Sequence, residues 1–161
     1  MKTLYLVRHA KSSWKENVED HKRPLKKRGK HDAMRIAETV SQELQAPEKI
    51  ISSDAQRAVA TALFFKKAWN MDDSNFQTEP RLYDFQGGEV FQFIKELDDQ
   101  FSKVMLVGHN YAFTAIANRL GNKPIEEIPT CGFVVLNFDV ENWENVVKGT
   151  IEYKLFPRTI R

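Results

Sequence analysis

Five short apolar segments predict the β-strands of this chain. Residues 2–8 (KTLYLVR) and 104–107 (VMLV) are apolar over most of their length, which is typical of central parallel strands buried on both faces. Residues 151–156 (IEYKLF) alternate between apolar and polar side chains, as an edge strand does. Two further strands are predicted at residues 50–51 and 133–138 (FVVLNF).

Helical patterns separate these strands. Apolar residues recur at helical spacing in four segments, which predict helices at about residues 28–45, 54–68, 88–98 and 111–120. Ser53 and Gln56 fit an S-x-x-Q capping box at the start of the second helix, and Gly121 marks the end of the fourth. The alternation indicates one domain over residues 1–161: a three-layer α/β/α sandwich with a mostly parallel sheet and an antiparallel edge strand.

Composition narrows the class of protein. A chain of 161 residues with 42% hydrophobic and 29% charged residues suits a soluble domain with a real core. No apolar run approaches the roughly 20 residues that span a bilayer, and the N-terminus lacks the small-residue cleavage site of a signal peptide. We therefore expect a cytoplasmic protein with no membrane partner, and the single Cys131 fits a reducing compartment.

The charge distribution leaves one question open. A formal net charge of +2 is too near neutral to favour a nucleic-acid partner. Basic residues nevertheless cluster between Lys22 and Lys30 (KRPLKKRGK). This cluster is either a solvated helix entrance or a rim that attracts an anionic substrate.

Candidate chemistry appears where the predicted strands end. The first strand ends at Arg8 and His9, and the VMLV strand ends at Gly108 and His109. The short strand at 50–51 is followed by Arg57 in the first turn of the next helix. Because ligands of open α/β sheets bind beyond the carboxyl ends of the strands, two histidines and two arginines are expected to converge there.

This set of residues suits a phosphoryl group. Arginine forks match phosphoryl oxygens, and the start of the second helix adds backbone N–H groups with partial positive charge. Neighbouring cations should lower the pKa of a histidine and keep it neutral, as a nucleophile requires. Fixed cations can stabilise the transition state of phosphoryl transfer without a metal, so no metal and no cofactor are expected. A zinc site built from His9, His109 and Cys131 is disfavoured, because these residues include no closely spaced ligand pair.

Three ordered motifs resemble those of the histidine phosphatase superfamily. LVRHAKSSW resembles its first signature, with Ala10 where most members carry glycine; SSDAQRAVATA resembles the second motif and VMLVGHN the third. The segments RPLKKRG, LYDF and IPTCG and the ending FPR further resemble the SixA-type phosphohistidine phosphatases, a short branch of the superfamily. The resemblance covers nearly the whole chain and implies a phosphoglycerate mutase-like fold.

The resemblance implies roles for individual residues. His9 would be the phosphorylated nucleophile, Arg8, Arg57 and His109 would bind the phosphoryl group, and Arg23 would line the same pocket. Asp84 resembles the general acid that larger members supply from a glutamate, and it is the candidate acid here. Ser53 and Asn110 complete the set as candidate substrate-binding residues.

Three functions remain in view. The first is a phosphatase that acts on phosphohistidine in proteins, since a short chain should leave its pocket uncapped. The second is a phosphomonoesterase with the same mechanism that acts on a small phosphorylated metabolite. The third is a non-catalytic binding module on this fold, which the intact set of four residues disfavours. Lys15 replaces the asparagine that mutases often carry after the tryptophan of the first motif, which argues mildly against a mutase.

Overall fold

The computed structural model describes all 161 residues and contains six strands and five helices. In chain order they are β1 (Lys2–Arg8), α1 (Lys27–Glu43), β2 (Lys49–Ser52), α2 (Gln56–Ala68), β3 (Phe76–Thr78), α3 (Gly88–Lys95), β4 (Lys103–Gly108), α4 (Ala112–Leu120), β5 (Phe133–Phe138), β6 (Thr150–Leu155) and α5 (Pro157–Ile160). No helix has the length and hydrophobicity needed to cross a membrane.

The strands form one sheet in the order β3-β2-β4-β1-β5-β6. Pairing is parallel from β3 through β1, and it becomes antiparallel at the β1–β5 and β5–β6 pairs. The predicted α/β fold with a mostly parallel sheet and antiparallel pairing at one edge is therefore confirmed. Because β5 runs against β1, its first residue lies next to the carboxyl end of β1, where Phe133 pairs with Val7.

Two cores lie on opposite faces of the sheet, as the three-layer prediction requires. Alternate residues of β1 enter different cores, which is the consequence of the two-residue period of a strand. Leu4 and Leu6 pack with apolar residues of α3 and α4, whereas Tyr5 and Val7 pack with those of α1 and α2. Burial on both faces explains why β1 reads as a nearly continuous apolar run.

Two details of the sequence prediction require correction. The short edge strand β3 was not predicted, because its FQT sequence carries no apolar alternation and it forms by pairing with β2. The prediction of a capping box at Ser53 and Gln56 was wrong. Helix α2 begins at Gln56 with Ala55 as its N-cap, and no side chain caps it. The Ser53 hydroxyl instead accepts a hydrogen bond from the Ala55 N–H at 3.2 Å and faces His109 at 2.8 Å.

Candidate active site

The two predicted histidines lie side by side at the carboxyl edge of the sheet. They follow adjacent parallel strands, β1 and β4, in which Arg8 is paired with Gly108. The imidazole centroids of His9 and His109 are 5.3 Å apart, and the main-chain N–H of His9 donates to the Gly108 carbonyl at 3.0 Å. The prediction that strand ends bring these residues together therefore matches their positions.

The His9 ring is held in one tautomer. Its Nδ1 atom lies 2.8 Å from the carbonyl oxygen of Ala10, and a carbonyl can only accept, so Nδ1 carries the proton. In the neutral ring this leaves the lone pair on Nε2. Burial is the main cause that lowers the pKa of His9 to about 3, and the guanidinium groups of Arg57, Arg8 and Arg23 add to it. The imidazole is therefore neutral and nucleophilic near pH 7.

Main-chain contacts fix the position of the segment that carries His9. The Ala10 N–H donates to the Thr61 hydroxyl at 2.9 Å, and that hydroxyl donates to the Arg57 carbonyl at 2.8 Å within α2. From the other side, the Cys131 N–H donates to the carbonyls of Arg8 and His9 at 3.0 and 3.1 Å. The segment after β1 is thus tied both to α2 and to the approach to β5. Cys131 is buried, and burial raises the pKa of its thiol above the usual range.

Two arginines flank the histidines, and protein acceptors engage both terminal nitrogens of Arg57 and one of Arg8. Arg57 donates from Nη1 to the Asp20 carbonyl at 2.6 Å and from Nη2 to the Asp20 carboxylate at 2.9 Å. Arg8 donates from Nη1 to the Ile128 carbonyl at 2.8 Å, and Glu127 lies 3.6 Å from the same atom. The Nε atoms of both arginines are buried and have no partner in the protein.

His109 contributes the third buried nitrogen of this kind. Its Nε2 atom lies 2.8 Å from the Ser53 hydroxyl, while Nδ1 is buried without a partner. Burial, the adjacent His9 and the guanidinium of Arg57 lower the pKa of His109 to about 3. The hydroxyl accepts from a backbone N–H and can donate its own proton to Nε2, which leaves His109 Nδ1 as an N–H donor. Buried donors are normally satisfied, so Nε of Arg8, Nε of Arg57 and Nδ1 of His109 are candidates to bind acceptor oxygens.

Asp20 is the main residue that the sequence reasoning missed. Its carboxylate accepts from Tyr83 at 2.6 Å, from Arg23 at 2.8 Å and from Arg57 at 2.9 Å. Burial alone would raise the pKa of Asp20, but these hydrogen bonds hold that pKa well below its usual range. The D-x-x-R spacing between Asp20 and Arg23 could have indicated their contact from the sequence. The contact between Asp20 and Arg57 joins residues 37 positions apart, and no sequence pattern indicates it.

The predicted pocket residue Arg23 is buried beside this network. Its Nε donates to the Ser13 carbonyl at 3.1 Å, and its terminal nitrogens bond Asp20 and the Ser12 hydroxyl. The indole of Trp14 stacks on the guanidinium, with Cζ 3.2 Å from the ring centroid. Arg23 thus contributes positive charge near His9, while each of its three nitrogens donates to an acceptor within the protein.

The Asp84 carboxylate has a structural role that competes with its predicted role as general acid. Its two carboxylate oxygens accept from the N–H groups of Gln86, Gly87 and Val90, each at 3.1 Å, and so cap the start of α3. Gly87 supports this turn with a left-handed φ of 109°. Both oxygens of Asp84 are therefore engaged as hydrogen-bond acceptors at the start of α3.

Asn110 lies at the start of α4 on the Arg8 side of the site. Its Oδ1 atom accepts from the N–H and hydroxyl of Thr114 at 3.2 and 2.6 Å, and its Nδ2 donates to Glu127 at 3.3 Å. Glu127 lies beside Arg8, so Asn110 is part of the wall that holds this arginine. The histidine, cysteine and carboxylate side chains of the protein form no cluster of three that could hold a metal ion.

Comparisons with known proteins identify the class. Residues 4–92 match the family described as the histidine phosphatase superfamily (branch 1), and the chain belongs to this superfamily. An uncharacterised chloroplastic protein of Arabidopsis thaliana is 33% identical over 150 residues, which cover 88% of this chain and 68% of that one. An uncharacterised protein of Mycobacterium tuberculosis is 29% identical over 153 residues, which cover 89% and 93%.

Solved structures place the chain among SixA-like folds. A protein assigned as the phosphohistidine phosphatase SixA of Agrobacterium tumefaciens superposes with a TM-score of 0.79 at 25% identity, covering 96% of this chain and 97% of that one. The protein histidine phosphatase SixA complexed with tungstate gives a TM-score of 0.84 at 18% identity, with 99% of both chains covered. A mycobacterial glucosyl-3-phosphoglycerate phosphatase shares the fold at a TM-score of 0.71 and 15% identity, with 94% and 97% covered.

Proposed function

We propose that this protein is a metal-independent phosphatase that forms a covalent phosphohistidine on His9 and acts on phosphohistidine in proteins. The observation that carries the proposal is the set of three buried, unpartnered nitrogens around His9: Nε of Arg8, Nε of Arg57 and Nδ1 of His109. A phosphoryl group in its transition state presents three equatorial oxygens that share negative charge. The guanidinium groups of Arg8 and Arg57 and the imidazole of His109 supply donors for these oxygens, and two of the three groups are cationic.

The reaction follows in two steps. The Nε2 lone pair of His9 forms a bond to phosphorus as the P–N bond of the substrate breaks, and the substrate imidazole departs as a neutral ring if it entered protonated. The hydrogen bond from Nδ1 to the Ala10 carbonyl stabilises the positive charge that develops on the His9 ring. Water then bonds to phosphorus, the P–Nε2 bond breaks, and phosphate leaves with neutral His9 restored. The proton that the water loses departs with phosphate or solvent.

Ser53 and Arg23 act in this scheme through other residues. Ser53 sets the tautomer of His109 by donating to Nε2, and so directs the Nδ1 proton toward the phosphoryl oxygens. Arg23 helps to hold Asp20, which in turn fixes the terminal nitrogens of Arg57. Asn110 positions Glu127 beside Arg8. These are positioning roles rather than direct contacts with substrate.

The leaving group favours phosphohistidine over an alkyl phosphate. An alkoxide needs a general acid, whereas an imidazole leaves readily and is protonated near neutral pH. Asp84 is engaged as a helix cap, so the residue that resembles the acid of larger relatives is not free to serve. A small-molecule phosphomonoesterase remains the second candidate, because a glucosyl-3-phosphoglycerate phosphatase has the same fold. A non-catalytic module is opposed by the intact His9, His109, Arg8 and Arg57 set.

Trapping and turnover test the proposal together. Brief reaction with ³²P-labelled phosphohistidine protein, followed by quenching in base, should leave label on the peptide that contains His9. That label should be acid-labile, and His9→Ala should carry none while its circular dichroism remains unchanged. Label on another residue would refute the mechanism. A kcat/KM that favours alkyl phosphates over phosphohistidine protein would leave the mechanism intact and refute the substrate.

A further inference from the structure

Exposed apolar side chains gather around the candidate active site. Eight large apolar side chains are exposed in this protein, and four of them lie on loops at the carboxyl edge of the sheet. These four are Trp14 and Val18 after β1, Phe85 after β3 and Tyr111 after β4, and we call them the docking rim. Trp14 is 77% exposed and Tyr111 55%.

The docking rim is continuous with the site. At one end the Trp14 indole stacks on Arg23, and at the other the Tyr111 N–H donates to the Phe85 carbonyl at 3.1 Å. Phe85 also packs on His109, with ring centroids 4.8 Å apart. Direct contacts between the two ends run in the order Trp14, Arg23, Asp20, Tyr83, Phe85 and Tyr111. Trp14, Phe85 and Tyr111 therefore border the site from three loops.

The segment that carries Trp14 and Val18 has an excess of positive charge. Residues 11–30 hold eight lysines and arginines against three carboxylates, whereas the whole chain has a net charge of only +2. The lysines at positions 11, 15, 22, 26, 27 and 30 are exposed. An exposed cationic surface attracts a partner whose surface is acidic and speeds its approach.

We propose that the docking rim binds the surface of the protein that carries the phosphoryl group, at a place where acidic residues surround the phosphohistidine. This inference rests on the proposed function and adds the surface and the charge of the partner. Exposed apolar patches beside an active site mark interaction surfaces, and tryptophan and tyrosine are prominent among the side chains that anchor protein partners. A net charge of only +2 disfavours a nucleic-acid partner, which favours a protein.

The test compares two phosphoproteins with one small substrate. A helical bundle with a single surface histidine is phosphorylated chemically, once with four glutamates around that histidine and once with four lysines. Free N-phosphohistidine reports on the active site alone. The variants are Trp14→Ala, Tyr111→Ala, a Lys15→Glu/Lys26→Glu pair, and Met34→Ala as the control, because Met34 is exposed on α1.

Wild type should prefer the glutamate-flanked protein by roughly tenfold or more in kcat/KM. Trp14→Ala and Tyr111→Ala should each lower that kcat/KM by about tenfold, mostly through KM, while free phosphohistidine changes by less than about twofold. The Lys15→Glu/Lys26→Glu variant should lose the preference for the glutamate-flanked protein. Met34→Ala should match wild type.

Equal losses on all substrates would show that Trp14 and Tyr111 act only through the site, and no loss on any would show that the rim binds nothing; both overturn the inference. A concentration-dependent dimer that Trp14→Ala dissociates would assign the rim to self-association and overturn it as well. If wild type turns over no phosphohistidine substrate, the proposed function itself fails, which is distinct from a failure confined to the rim variants.

Discussion

Asp20 holds Arg57 by both of its terminal nitrogens: Nη1 donates to the Asp20 carbonyl at 2.6 Å and Nη2 to its carboxylate at 2.9 Å. The Nε atom of the same guanidinium is buried and has no partner in the protein. Asp20 is thus an anion that already occupies the outer side of Arg57 and orients its inner side. The relationship makes a carboxylate part of a site whose task is to bind negative charge.

Removing Asp20 should therefore lower activity rather than raise it. Asp20→Ala frees the Arg57 guanidinium to rotate, and misplacement of a binding group by about 1 Å costs on the order of 10²-fold in rate. We expect kcat to fall more than KM changes, and the inhibition constant for vanadate to rise. Tyr83→Phe, which removes one donor to Asp20 but neither arginine, should have a smaller effect. Tighter binding of vanadate by Asp20→Ala would instead identify Asp20 as a competitor of the phosphoryl group.

His109 and Ser53 should act as one unit. His109→Ala removes a donor and should cost roughly 10²–10³-fold in kcat, as the loss of an oxyanion-hole donor does. Ser53→Ala leaves the imidazole but not its fixed tautomer, so a smaller loss is expected, and Ser53→Thr should restore part of it. In the double variant the losses should not multiply. Fully multiplicative losses would mean that Ser53 works independently of His109.

The two buried histidines should make stability depend on acid pH. The pKa of each is lowered from 6.5 to about 3 in the folded protein. Between these values the unfolded chain binds protons that the folded protein refuses, so stability is retained above about pH 6.5 and falls as the pH drops toward 3. The upper limit is about 1.4 kcal/mol per pH unit for each histidine. Urea unfolding at pH 7, 6 and 5 measures the slope, which His9→Gln and His109→Gln should each reduce.

Asp84 should matter for folding more than for chemistry. Its carboxylate accepts the N–H of Val90 in the first turn of α3, so Asp84→Ala should cost about 0.5–2 kcal/mol of stability. Turnover of phosphohistidine protein should stay near wild type under conditions where the variant is folded. Asp84→Ser, which keeps an acceptor, should recover part of the stability. A loss of kcat confined to alkyl phosphates would return Asp84 to the role of general acid.

The mechanism also predicts independence from added metal. Arg8 and Arg57 supply the positive charge that a divalent cation supplies in other phosphatases. Activity should survive dialysis against EDTA unchanged, and added Mg²⁺ or Zn²⁺ should not increase it. Vanadate, which mimics five-coordinate phosphorus, should inhibit. Restoration of a lost activity by one of these metals would contradict the assignment.

The sequence predicted best what short segments determine. Strands β1 and β4 were recognisable because burial on both faces makes them apolar throughout, and the residues that follow them are fixed by the ends of the strands. Asp20, Tyr83 and Thr61 escaped prediction because their contacts join residues that are distant in the chain. The Cys131 contribution is made by its main-chain N–H, which no side-chain pattern can signal. The Asp84 prediction rested on resemblance, and helix capping at the start of α3 competes for the same carboxylate.

The reversed direction of β5 means that the site is built from two separate parts of the chain, which can change independently. Because β5 runs against β1, the segment that leads into it returns to the carboxyl edge of the sheet and brings Glu127, Ile128 and Cys131 to Arg8 and His9. The parallel strands supply the histidines, while this returning segment holds one arginine and borders the entrance. Substitutions at its exposed positions could alter which molecules enter without disturbing the nucleophile. One scaffold could in this way serve several phosphorylated partners through changes confined to a single connection.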